Sequence, residues 1–349
     1  MAIKKNTDQG HISKIRKVRK SELSVDDLFD GIQKGDKTAL GRAITLVESN
    51  QKIHFQKANQ IVERCLAKKV DSIRIGITGV PGVGKSTFIE ILGKTLTEKG
   101  NKVAVLAVDP TSTKSKGSIL GDKTRMERLS KEPNAFIRPS SSGASLGGVT
   151  RKTRETIPLC EAAGYNIILI ETVGVGQSEI AVHGMVDFFL LLKLAGAGDE
   201  LQGIKRGIVE MADAIVINKA DGENLRPAKI AAIEFKRALE LYPPKENGWK
   251  PKVLPCSALE NDGIEEIWSI IEMYVERNKM SNNFLSKRKQ QNKNWLFDTI
   301  EERLKSDFFG NETVADEIEN YVEKVISEEI SPFRAAEKLI QISKKKNNS

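Results

Sequence analysis

The sequence predicts an α/β fold, a mainly parallel sheet flanked by helices, with a helical extension before it and a helical arm after it. Three observations carry this. Short apolar runs alternate with helical spacing from residue 72 to about residue 280, the pattern of strand-helix-strand crossovers. A glycine-rich turn, GVPGVGKST at residues 79–87, lies between the first apolar run and the helix after it. Outside this region the apolar positions keep only helical spacing.

The chain has 349 residues, enough for one large domain with additions. Four segments are expected: a basic flexible tail over 1–20, a helical extension over 21–70, a nucleotide domain over 71–280, and a helical dimerisation arm over 281–349. The net charge is +8, which invites a nucleic-acid reading. Its distribution argues against one. Seven basic residues stand against Asp8 in the first twenty positions, Lys344, Lys345 and Lys346 close the other end, and the body between is close to neutral. With 5% aromatic residues there is also little to stack on bases. No apolar run approaches the ~20 residues a membrane span needs, and no secretory signal opens the chain. Cys65, Cys160 and Cys256 are scattered, as in a reducing compartment. The expectation is a cytoplasmic protein without membrane or nucleic-acid partners.

Taken in order, Val25, Leu28, Phe29 and Ile32 fall at helical spacing, as do Leu40, Ala43, Ile44 and Val47, and then Ala58, Ile61, Val62 and Cys65. Ser24 with Asp26 and Asp27 marks the start of the first helix. Ile73, Ile75 and Ile77 form the first strand. The turn that follows fits G-x-x-x-x-G-K-[ST] through Gly79, Gly84, Lys85 and Ser86, the phosphate-binding loop. Its glycines let successive N–H groups face phosphate oxygens, and the next helix begins with its positive end toward the same anion. Lys85 adds a charge, and Ser86 offers a hydroxyl to a magnesium ion between the β- and γ-phosphates.

Further strands are expected over 102–109, 135–138, 166–171, 187–192, 214–218 and 253–257. Ligands of such sheets sit beyond the carboxyl ends of the strands. Asp109 and Glu171 end two buried strands, where a carboxylate is costly unless a cation meets it. Magnesium is the obvious cation. Asp122 is a third candidate, though it reads equally as a solvated loop acid. Asn218, Lys219 and Asp221 form N-K-x-D after another strand. A carboxylate there accepts two hydrogen bonds from guanine and none from adenine, so the motif favours GTP over ATP. Ser257, Ala258 and Leu259 are placed to cover the O6 edge of the base. Ile264, Ile267, Trp268 and Ile271 mark a closing helix. Residues 281–294 are polar and basic, a linker or a long exposed helix, and three helical patterns follow around 297–308, 318–325 and 332–340. The stripe of Ile318, Tyr321, Val322 and Val325 needs a partner surface, which points to a homodimer made by the arm.

In this order GVPGVGKST, VLAVDPTS, GSILGDKTRM, ETVGVGQSE, GAGDELQGIK, NKADGEN and CSAL resemble the GTPases of the MeaB/ArgK type, the methylmalonyl-CoA mutase-associated GTPases. The resemblance implies a dimeric GTP hydrolase that acts as a chaperone for an adenosylcobalamin-dependent acyl-CoA mutase and gates its cofactor loading. It implies that Gly79, Val80, Pro81, Gly82, Val83, Gly84, Lys85, Ser86 and Thr87 cradle the phosphates of GTP or GDP. Ser86, Asp109, Asp122 and Glu171 would surround Mg2+. Asn218, Lys219, Asp221 and Ser257 to Leu259 would hold guanine, and Asp199, Gln202 and Lys205 would form a switch segment. The catalytic set becomes Lys85, Asp109, Glu171 and Lys205. Ras-type GTPases carry a glutamine directly after D-x-x-G, where this chain has Val175 after Gly174; slow unaided hydrolysis is expected. Two other readings are a metal-insertion GTPase and a kinase of an amino-acid transport system. His11, His54 and His183 are isolated and no cysteine pair is present, which argues against metal carriage. D-x-H-x-x-G, which gives cobalt its histidine in cobalamin domains, is absent, so no cobalamin is expected to bind by a motif of this chain.

Overall fold

A computed structural model describes residues 23–68, 70–108, 126–139, 146–172, 174, 178–196 and 206–345. Three helices come first, α1 (Val25–Gln33), α2 (Lys37–Glu48) and α3 (Lys52–Leu66). Ser24 caps α1: its hydroxyl accepts from the Asp27 amide, and the Asp27 carboxylate accepts from the Ser24 amide. Each orphan donor of the first turn so satisfied is worth about 1 kcal/mol.

The strands are β1 (Ile73–Gly79), β2 (Val103–Val108), β3 (Ala135–Arg138), β4 (Ile167–Thr172), β5 (Phe188–Leu194), β6 (Ala214–Asn218) and β7 (Lys252–Pro255). They form one seven-stranded sheet in the order β3-β2-β4-β1-β5-β6-β7. Every neighbouring pair is parallel. Several ends differ by one or two residues from those expected, because a strand buried on both faces has no alternation to fix its limits.

The connecting helices are α4 (Lys85–Glu98), α5 (Glu127–Ser130), α6 (Leu146–Ala162), α7 (Ser178–His183), α8 (Arg206–Met211), α9 (Leu225–Glu240) and α10 (Ile264–Met280). One face of the sheet packs Ile75, Ile77, Val105, Leu169 and Leu190 against Phe88 and Leu92 of α4 and Ile267 and Ile271 of α10. On the other, Ile215 and Ile217 meet Ala228, Ala232 and Phe235 of α9. Burying each large apolar side chain contributes about 1.5–3 kcal/mol. This two-sided core makes the strand ends a rigid platform.

The N-terminal helices α2 and α3 pack on α6. Arg138, at the end of β3, pairs with Glu48 and donates to the Thr45 hydroxyl at 3.2 Å. Lys152 of α6, almost fully buried, donates to the Glu48 carbonyl and to Asn50 Oδ1. Beneath β1, Glu161 of α6 accepts from Arg74 at 2.8 and 3.0 Å and from the Ser72 hydroxyl at 2.5 Å.

The chain divides into two compact units between Phe284 and Leu285. That point falls in the first turn of α11 (Asn283–Phe309), a single helix of 27 residues. The 281–294 stretch is therefore helical almost throughout, after a break at Asn282 with φ 59°. In the second unit α12 (Glu312–Ile326) and α13 (Pro332–Lys345) pack on each other. Asn311 caps α12 by accepting from the amides of Thr313 and Val314. Leu296, Phe297, Leu304, Phe309, Ile326 and Phe333 are exposed. Among the described residues no helix is long and apolar enough to cross a membrane.

Candidate nucleotide site

The loop over residues 80–84 joins β1 to α4. Its turn needs left-handed backbone at Gly82 and Gly84, with φ 82° and 92°. At Gly84 a second constraint acts, since a Cβ there would stand 2.8 Å from Asn218 Nδ2. Only glycine satisfies both. Val83 is buried, whereas Pro81, Gly82 and Thr87 are exposed.

Lys85 opens α4, and its Nζ donates to the carbonyls of Gly79 and Val80 at 2.8 and 3.2 Å. Burial holds its pKa below the usual lysine value, while the charges of Glu171 and then Glu179 act in the opposite sense. The next residue, Ser86, donates its hydroxyl to Glu171 Oε1 at 3.1 Å. A hydroxyl in the first turn of α4 and a carboxylate at the end of β4 form a hard-oxygen pair, the donor set that suits magnesium. Among the described residues no group of three His, Cys, Asp or Glu converges further. Asp109 and Asp122 lie outside the described residues, as do Asp199, Gln202 and Lys205.

Gly174 closes over this end of the site. Its φ is 85°, and a Cβ would be 1.8 Å from the Gly79 carbonyl oxygen and 3.2 Å from Lys85 Nζ. Below it, the Thr172 hydroxyl donates to Thr78 Oγ1 at 2.8 Å, joining β4 to β1 where both are buried.

The second end of the site stands on β6 and the turn after β7. Asn218 is almost fully buried and spans two loops. Its Nδ2 donates to the Val83 carbonyl at 2.8 Å, and its Oδ1 accepts from the Ala258 amide at 3.3 Å. Lys219 adopts φ 59°, the left-handed backbone that turns the chain out of β6. The Asp221 carboxylate accepts from the Ser257 hydroxyl at 2.5 Å, and Ser257 Oγ in turn accepts from the Glu260 amide at 3.1 Å. Backbone pairing of Ser257 with Asp262 fixes the turn. Ala258 is buried, and Leu259 is 79% exposed. The motif residues of the loop, of N-K-x-D and of the S-A-L turn thus meet in one hydrogen-bonded assembly.

Sequence reasoning did not single out Glu179 or the bridging role of Asn218. Glu179 is 2% exposed and its Oε2 has no hydrogen-bond partner among the described residues. The only local signal was its place in the stretch ETVGVGQSE.

A parallel sheet with a phosphate loop after its central strand, and an N-K-x-D turn hydrogen-bonded to that loop, defines a GTPase-type nucleotide hydrolase. A sequence model of the family described as "Methylmalonyl Co-A mutase-associated GTPase MeaB" matches residues 40–313. A probable GTPase of Mycobacterium bovis is 49% identical over 320 residues, covering 92% of this chain and 95% of that protein. "Methylmalonic aciduria type A homolog, mitochondrial" of Mus musculus is 45% identical over 338 residues, covering 94% and 81%. GTPase ArgK of Escherichia coli is 45% identical over 292 residues, covering 84% and 88%. The crystal structure titled "LAO/AO transport system kinase" superposes with a TM-score of 0.72 at 37% identity, covering 91% of this chain and 96% of that one. The chain belongs to the methylmalonyl-CoA mutase-associated GTPase MeaB family, and it is a GTPase.

Proposed function

We propose that this GTPase is a homodimeric chaperone whose GTP state controls a complex with an adenosylcobalamin-dependent acyl-CoA mutase of the methylmalonyl-CoA mutase type, in the cytoplasm. The observation that carries the nucleotide part is the tie from Asn218 to Val83, because it makes the guanine end and the phosphate end a single unit. The family description, with its mutase-associated title, supports the partner.

In this reading residues 79–87 cradle the phosphates through their backbone N–H groups, Pro81 having none, and Lys85 leaves part of its carbonyl bonding to meet their charge. Ser86 and Glu171 would hold Mg2+ together with Asp109 and Asp122. When bound, the ion neutralises charge on the phosphate oxygens. Asp221 gives its carboxylate to the guanine N1 and N2 donors, held in place by Ser257. Ala258 and Leu259 cover the opposite edge. Asp199, Gln202 and Lys205 form the switch through which the mutase accelerates hydrolysis, standing in for the glutamine missing after Gly174.

The test is GTP turnover with and without the host's mutase, for wild type and Lys205→Ala. Acceleration in the wild type and its loss in the variant, with basal turnover and GTP affinity kept, is the expected result. Acceleration that survives in the variant removes the switch role, and a wild type with neither acceleration nor complex removes the mutase assignment.

A further inference from the structure

The N-K-x-D turn is held from its far end. Asn224 Nδ2 donates to the Lys219 carbonyl at 2.5 Å, and the Asn224 amide donates to the Asp221 carbonyl at 2.9 Å. Between these anchor points a short 3-10 turn (Gly222–Asn224) runs straight into α9. An asparagine before a helix ordinarily caps it, with an extended backbone that brings the side-chain oxygen over the first amides. Asn224 instead has φ −82° and ψ −8°, already helical, and its side chain makes no cap bond among the described residues. Its amide group reaches back to the turn.

Lys219 holds φ 59°, left-handed backbone that glycine adopts readily and a residue with a β-carbon does not. Such a conformation persists only where its surroundings over-determine it. The Ala220 amide, donating to the Cys256 carbonyl at 3.0 Å, fixes one side of the Lys219 peptide groups, and Asn224 fixes the other. A glycine would relieve the strain but would have no stem. The lysine stem reaches the phosphate loop, its Cε 3.9 Å from the place that a Cβ on Gly84 would take.

We propose that Asn224 is a positioning residue for the guanine base: its side-chain amide locks the left-handed turn at Lys219, which lays the lysine stem toward Gly84 as a ledge for the flat face of the base and keeps Asp221 at its edge. This deepens the guanine-nucleotide reading above and rests on it. The methylenes of a lysine stem offer an apolar surface while the charged end stays in water, and Lys219 is exposed. Asp221 is held from two directions, by the Ser257 hydroxyl at its carboxylate and by the Asn224 amide at its carbonyl. The bonds of the phosphate loop itself, from Lys85 to Gly79 and Val80 and from Asn218 to Val83, do not pass through Asn224. Loss of the Asn224 side chain therefore acts on the base and spares the reacting phosphates.

The experiment uses the full chain in magnesium buffer, with GDP and ADP affinities by calorimetry and GTP turnover at varied GTP. Asn224→Ser is uncharged and suits a helix start equally well, but its hydroxyl is too short to reach the Lys219 carbonyl. GDP should bind this variant on the order of tenfold more weakly, the size of one lost hydrogen bond and the order it imposed. KM for GTP should rise by a similar factor while kcat falls by less than about twofold, the mark of lost binding rather than lost chemistry. Asn224→Gln keeps the amide donor on a longer stem and should bind GDP within about threefold of wild type. GDP affinity unchanged in Asn224→Ser, a loss that falls on kcat, or a Gln variant no better than the Ser variant overturns the positioning role. So does a Ser variant that has lost its helical circular dichroism, since the side chain would then hold the fold. A wild type that binds GDP no better than ADP overturns instead the guanine reading on which the proposal rests.

Discussion

Replacing Asn218 with alanine should uncouple the two ends of the site at a measurable cost in stability. Its side chain makes two buried hydrogen bonds, a short one of 2.8 Å to the Val83 carbonyl and a longer one of 3.3 Å from the Ala258 amide. Each such bond contributes about 1 kcal/mol net, and a partner left buried without a replacement costs about 1–3 kcal/mol. Val83 and Ala258 are both buried, so water does not freely restore either bond. The sum is a loss of about 2–4 kcal/mol. The assay is urea unfolding followed by circular dichroism, with and without GDP. Ligand at about a hundred times Kd stabilises by about 2.7 kcal/mol. In Asn218→Ala the same GDP concentration should stabilise less, because both the phosphate loop and the base turn have lost their common anchor. A variant that unfolds within about 1 kcal/mol of wild type and gains as much from GDP would refute the reasoning.

Asp221→Asn should turn the preference from guanine to xanthine nucleotides, whose C2 oxygen accepts where guanine donates, with GTP affinity falling roughly 10- to 100-fold for the lost charged hydrogen bonds; unchanged GTP affinity in calorimetry would exclude Asp221 from the base. Gly174→Ala would force a Cβ to within 1.8 Å of the Gly79 oxygen at a φ of 85°. Turnover should fall by about a hundredfold as Lys85 and the loop are displaced, with the circular dichroism spectrum kept, and a variant of normal turnover would show that Gly174 does not close the site. A chain ending at Phe284, the last residue of the first compact unit, should be monomeric by light scattering if the helical arm makes the dimer. Persistence of the dimer would place its interface elsewhere.

What could be read from the sequence was whatever is encoded locally. The phosphate loop is one turn between a strand and a helix, so Gly79, Gly84, Lys85 and Ser86 announced themselves by spacing alone. The first helix was equally plain, because Ser24 and Asp27 cap it within four residues. Parallel pairing was legible from the alternation of strands and helices, but the strand order was not. Nothing near Ile73 indicates that its neighbour is Ile167. The same limit hid the work of Asn218: N-K-x-D reads as a base motif, whereas the side chain of Asn218 bonds to Val83 of another loop. Residues 281–294 stayed ambiguous because their apolar positions are too sparse to set a period. The left-handed Asn282 separates them from α10, and asparagine tolerates that backbone without advertising it. Glu179 carries no local signature beyond its place in ETVGVGQSE, since its distinction is burial with Oε2 unpaired among the described residues.

The place of β1 at the middle of the sheet has a consequence for the chain as it leaves the ribosome. Both strands that flank β1 come from much later in the sequence: Thr78 and its partner Thr172 on β4 are 94 residues apart, and β5 is later still. At about 5–20 residues per second of synthesis, β1 waits roughly 5–20 s with both edges unpaired. During that interval Ile73, Ile75 and Ile77 form an apolar strand with open hydrogen-bonding groups on each side, the kind of segment that joins other chains when left uncovered. Yield in a heterologous host should therefore depend on translation rate and temperature through this window more than on the stability of the finished domain. Ribosome-bound chains halted before residue 167 and after residue 194 would test it: the shorter should be captured by a holdase and digested rapidly, and the longer should be protected.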